Sequence, residues 1–196
     1  MSSKEEILKS VRQSLERREK FDYPEIPTYE KFGIDLKAVF EVNLKAAAVE
    51  FYDVKSVEEA RQIMQAKLPD AKVICSATDE WKGNKDIHSI THPRDLNDVD
   101  LGVFRAEFGV AEMGMVWVTE QSLKVNVIGF LAQHLAVLLD SKKITENMHT
   151  AYNIENLLDV TYGCFVMGPS ATADIGAYMV RGAQGARSLT LFFLKN

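Results

Sequence analysis

The sequence predicts an α/β protein, a mostly parallel sheet covered by helices in three layers and preceded by an N-terminal helical extension. Three observations carry that reading. Ala48 to Val54 and Lys72 to Ser76 are short apolar runs separated by a helical stretch, the strand–helix–strand order of a parallel pair. The strands are near-continuously apolar rather than alternating, as expected where both faces are covered. Finally, Phe165 to Leu194 reads as a strand, a glycine turn, a helix and a closing strand.

Taken in order, Ser3 and Glu6 form a capping box for a first helix whose apolar stripe is Ile7, Leu8, Val11 and Leu15. The stripe is narrow and suits the edge of the domain or another chain. Tyr23-Pro24-Glu25-Ile26-Pro27 is a linker by its prolines. Residues 1–30 are thus an extension, and residues 31–196 the α/β domain. Leu36, Val39, Phe40 and Leu44 mark a second helix, and Ser56 with Glu59 caps a third that runs to Leu68. Residues 78–98 are polar and read as loop with one short strand. Val99 to Phe104, Met115 to Thr119 and His134 to Leu139 are strands, with a short helix or loop over 125–131. Thr145 to Leu158 carries a helix. In the closing unit Ser170 or Thr172 caps a helix along Ile175, Tyr178, Met179 and Gly182, and Ser188 to Leu194 is a buried strand.

Composition narrows the function classes. The chain has 196 residues, 46% hydrophobic and 26% charged, which suits one globular domain with an extension. A net charge of -5 argues against nucleic-acid binding. The densest basic run, Arg17-Arg18 with Lys20, is interleaved with Glu16 and Glu19 and reads as a solvated helix face. The longest apolar run, Val125 to Leu139, is interrupted by Asn126, Gln133 and His134 and is too short to span a bilayer. There is no apolar signal core, so a cytoplasmic location is expected. Cys75 and Cys164 sit in apolar runs as reduced thiols, and two isolated cysteines fall short of the four thiolates of an iron–sulfur cluster. His88, His92, His134 and His149 find no acid or cysteine that completes a metal set. No Gly-x-Gly-x-x-Gly, Walker lysine or Gly-x-Ser-x-Gly is present, so no cofactor is expected.

Two turns hold the candidate chemistry. Gly168-Pro169-Ser170-Ala171-Thr172-Ala173-Asp174 would open the closing helix, and amides at such a start favour a phosphate or carboxylate. Gly168, Ser170, Ala171, Thr172 and Asp174 would form the cradle, with Arg181 and Arg187 as anion partners. Simple helix capping explains the same residues, and surface charge the same arginines. Upstream, Gly109-Val110-Ala111-Glu112-Met113-Gly114-Met115 sets Glu112 between glycines. Glu112 is the candidate general base or nucleophile and Gly114 a ligand-approach position. The plainer role for Glu112 is bonding the amides of its own turn. Both turns fall at strand ends and would face one crevice.

These two motifs, with the final strand SLTLFFL, resemble the LUD-domain family, which includes lactate utilization protein C. The resemblance covers essentially the whole chain and is most specific over its last third. It implies the sheet topology shared by ribose-5-phosphate isomerase, CoA transferases and formyltetrahydrofolate cyclo-ligase. It also implies a non-redox part in oxidising lactate to pyruvate, beside separate iron–sulfur subunits. Two further readings stay open: an independent enzyme on a phosphorylated, CoA-linked or folate-type substrate, and a structural assembly subunit with a degenerate pocket. The sequence departs from the family pattern at Gly176 and Gln184, where Glu and His are usual, and at Met113 and Met115, where hydroxyls are usual.

Overall fold

The computed structural model describes residues 3–16, 34–154, 157, 159–174 and 176–195. The predicted linker at 23–27 and the basic run at 17–20 lie outside them. The chain divides into two units, Met1–Lys31 and Phe32–Asn196. In the first, α1 (Ser3–Glu16) is a single helix with acids in its first turn and no buried residue.

The second unit begins with α2 (Leu36–Ala46), whose N-cap Asp35 accepts from the amides of Lys37 and Ala38. β1 (Glu50–Val54) leads to α3 (Val57–Lys67), started by Ser56 Oγ accepting from Glu59 N. β2 (Ile74–Ser76) and β3 (Lys85–Asp86) follow, with two short 3-10 turns before β4 (Leu101–Arg105). His92 caps the second of those turns, its Nδ1 accepting from Arg94 N at 3.1 Å. Then come β5 (Phe108–Val110), β6 (Met115–Thr119), α4 (Glu120–Leu123), α5 (Ile128–Leu131), β7 (His134–Asp140) and β8 (Ile144–Thr145). The chain finishes through α6 (Met148–Tyr152), β9 (Gly163–Val166), β10 (Ala171–Thr172), β11 (Val180–Arg181) and β12 (Ser188–Leu194).

The main sheet has six strands in the order β1-β12-β7-β4-β2-β3, every pair parallel. Alternation along β12 sends Leu189, Leu191 and Phe193 to one face and Phe192 and Leu194 to the other. The first face packs on Phe40 and Leu44 of α2 and on Ile128 of α5, and the second on Ala60 and Met64 of α3 and on Trp81. Helix, sheet and a mixed third layer therefore enclose a core on each face of the main sheet. The third layer includes a second, smaller sheet ordered β8-β5-β6-β9, in which β6 pairs antiparallel with β5 and β9. Val116 and Val118 of β6 face the main core, while Met115 and Trp117 face Ala151 of α6 and Leu157.

The closing unit departs from the sequence reading. Where a helix along 175–182 is expected, the chain forms the β10–β11 ribbon, with Ala171 opposite Arg181 and Thr172 opposite Val180. Gly176 (φ 65°), Ala177 (φ 58°) and Gly182 (φ 75°) are left-handed, which a right-handed helix excludes. Each glycine also costs a helix about 1 kcal/mol relative to alanine. Tyr178 and Met179, which would have supplied the helix's apolar face, are 80% and 58% exposed, so no burial offsets that cost. The expected helix over 145–158 is confined to 148–152 among the described residues.

Candidate functional site

The two motif turns meet, but around α2. Val116 pairs with Val166 across β6 and β9, and continuing that antiparallel register sets Gly114 opposite Gly168. A Cβ on Gly114 would lie 2.7 Å from Asn43 C, and one on Gly168 2.9 Å from Ala47 O. Both glycines let these turns close onto the last turn of α2. Asn43 secures the arrangement, its Nδ2 donating to Ala111 O (2.8 Å) and Glu112 O (3.0 Å).

The groups expected to greet a ligand are largely engaged within the protein. Ser170 N donates to Ala186 O at 2.9 Å, and Ser170 O accepts from Gly182 N at 2.8 Å. Thr172 Oγ1 donates to Asp174 Oδ2 (2.8 Å) and accepts from Asp174 N (3.3 Å). Without the helix, the helix-start amide cradle is not formed. Glu112 Oε2 accepts from Met148 N at 3.1 Å, so its carboxylate caps α6. Arg181 is exposed on β11.

Arg187 lines a hollow of about 300 Å³ with Lys67, Asp100, Gln133 and His134, at the amino ends of β4, β7 and β12. There His134 Nδ1 lies 2.8 Å from Ser188 Oγ, and Asp100 Oδ2 accepts from Lys72 N and Val73 N. Those amides hold the Asp100 carboxyl below its ordinary range. Burial, then the positive charge of Arg187, lowers the His134 pKa. The unfolded imidazole takes up a proton near pH 6.5, whereas the folded one resists until lower pH. Stability from this group is thus present above pH 6.5 and lost as pH falls through the depressed folded value. Urea unfolding from pH 7.5 to 5 is expected to show a smaller loss of stability for His134→Gln than for the parent. Equal pH dependence would contradict this assignment.

A cavity of about 580 Å³ lies beyond the carboxyl ends of β4 and β7. That is the end of a parallel sheet where ligands bind. Glu107 reaches it from the chain leaving β4, and Lys142 and Lys143 from the turn leaving β7. That turn is fastened by Lys142 N donating to Asp140 Oδ1 and Lys143 N to Asp140 O, each at 2.9 Å. Glu107 is fixed by its amide on Trp117 O (3.0 Å) and by Ser122 Oγ donating to its Oε1 (3.0 Å). Thr119 caps α4 and faces the cavity beside Gln121. Phe108 and Trp117, stacked at 6.4 Å, form its apolar floor. Glu120 braces the neighbouring chain, accepting from Thr161 N (2.9 Å) and Tyr162 N (3.1 Å). Burial, with the Cys164 sulfur beside it, pushes the Tyr162 pKa up to about 12.

None of these cavity residues belongs to either motif. The available signal is positional: Glu107 and the Lys142-Lys143 pair each follow a buried strand at its carboxyl end. Among the described residues no group of three or more His, Cys, Asp and Glu side chains is placed to hold a metal. No described helix is long and apolar enough to cross a membrane.

An all-parallel main sheet, covered on both faces and joined to a smaller antiparallel one, defines the class as a three-layer α/β protein with a carboxyl-end cavity. The model of the LUD domain matches residues 37–194, and the chain belongs to the LUD-domain family. A crystal structure of a DUF162 family protein from Deinococcus radiodurans is similar in fold. It superposes with a TM-score of 0.63 over 82% of this chain and 96% of that one, at 10% sequence identity. No curated protein matches the sequence significantly.

Proposed function

We propose that this chain is a cytoplasmic, non-redox subunit that binds a small organic anion for a lactate-oxidising system. Separate iron–sulfur subunits carry the electrons. Family membership supports the pathway, and the two cysteines, one buried and one half-buried, do not make up a cluster's thiolate set. One observation carries the binding role: Lys142 and Lys143 line the carboxyl-end cavity together with Glu107. Lysine ammonium groups attract the carboxylate of a hydroxy acid, and a fixed carboxylate accepts the bond from its hydroxyl.

A ligand that binds only the folded chain raises stability by RT ln(1 + [L]/Kd). Lactate or pyruvate is therefore expected to raise the melting temperature of the parent protein. Lys142→Ala/Lys143→Ala, two exposed positions, should fold normally and lose that rise. Absence of any rise at saturating lactate and pyruvate would refute the reading. The motif-based arrangement stands as the competing placement: Glu112 as the reacting carboxylate, with Gly114, Gly168, Ser170, Ala171, Thr172, Asp174, Arg181 and Arg187 around the ligand. Glu107→Gln and Glu112→Gln separate the two, because only the carboxylate at the ligand should change its affinity.

A further inference from the structure

The cavity that holds the two lysines is much larger than lactate. Lactate has three carbons and three oxygens, and even at the volume of a water molecule each, about 30 Å³, they fill only about a third of it. A volume of about 580 Å³ falls instead in the range of about 300–1,000 Å³ that encloses larger organic ligands.

The lining is divided by element. The turns after β4 and β7 bring the charges, Glu107, Lys142 and Lys143, and α4 with its cap brings Thr119 and Gln121. Beyond α6, Ile154, Leu157 and Val160, all apolar, line the cavity together with the stacked Phe108 and Trp117. Ile154 is 38% exposed, so part of this wall meets water. Apolar surface held open beside a charged rim gains free energy only when something apolar covers it.

We propose that the cavity takes an amphiphilic hydroxy acid, with its carboxylate at Lys142 and Lys143 and a hydrocarbon tail against Ile154, Leu157 and Val160. This rests on the anion-binding reading above and names the substrate class of the same site. Each methylene moved from water to the apolar wall should tighten binding about fourfold. The charged rim should act on every chain length alike.

Isothermal titration of the full-length protein with lactate, 2-hydroxybutyrate, 2-hydroxyhexanoate and 2-hydroxyoctanoate tests it. Affinity is expected to rise about fourfold per methylene over the first members. Ile154→Asp should cut the gain below twofold per methylene, and Lys142→Ala/Lys143→Ala should weaken all four acids by a similar factor. A series that is flat or falls beyond lactate overturns the inference and leaves lactate binding intact. A slope unchanged in Ile154→Asp also overturns it, since the tail would then lie elsewhere. Failure of all four acids, lactate included, overturns the anion-binding reading as well.

Discussion

Phe193→Ala is expected to cost about 3–5 kcal/mol of unfolding free energy. Phe193 is fully buried on β12, between Asp53 of β1 and Leu139 of β7 in the main sheet. Its ring meets Phe40 of α2 edge-on at 6.0 Å and Phe51 of β1 at 5.9 Å. Lys37 Nζ lies over the same ring, 4.6 Å from its centre. Truncation removes the apolar transfer energy and leaves a void that two strands and a helix cannot all close at once. Urea titration should show a lower midpoint with an unchanged slope, the mark of lost stability without loss of cooperativity. Phe193→Leu refills most of the volume and should cost no more than about 1.5 kcal/mol. An alanine variant within 1 kcal/mol of the parent would mean that β12 is not the centre of this core.

That centre was legible because its signals are local. The run Ser188 to Leu194 is apolar at every position but Ser188 and Thr190, and only a strand covered on both faces suits such a run. Ser56 stands where a cap belongs, and it caps α3. The stretch 175–182 misled because Tyr178, Met179 and Gly182 fall at helical spacing, yet spacing without burial holds no helix. Gly176, inside the stretch, was the contrary signal.

The cavity was illegible for a different reason. Its walls come from segments around residues 107–121 and 142–145 and from Ile154, Leu157 and Val160, which only the two-sheet packing brings together. Glu112 attracted notice through its flanking glycines, while Glu107 sits in an unremarkable stretch, Arg105-Ala106-Glu107-Phe108. Glycines advertise close approach without saying what approaches. At Gly114 the nearest approach is α2, and at Gly168 it is Ala47, just past the end of that helix.

Gly114→Ala distinguishes those possibilities, with an expected cost of about 3 kcal/mol. Two effects combine. Gly114 is left-handed (φ 63°), which costs a side-chain-bearing residue about 1–2 kcal/mol. Its new Cβ would also stand 2.7 Å from Asn43 C and 2.8 Å from Leu44 N. These are backbone atoms of α2 that no rotamer change can withdraw, and overpacking of this kind costs about 1–3 kcal/mol. The shift would further disturb the Asn43 bonds to Ala111 O and Glu112 O. Gly176→Ala is the control: its φ is 65°, but nothing lies within 4 Å of the added carbon, so only the backbone strain remains. The gap between the two variants in urea unfolding therefore measures the contact with α2. Equal costs would show that α2 yields freely and that the glycine is not held there by packing. A Gly114→Ala protein that keeps its stability but loses lactate-dependent stabilisation would return the motif to a ligand, and with it Glu112.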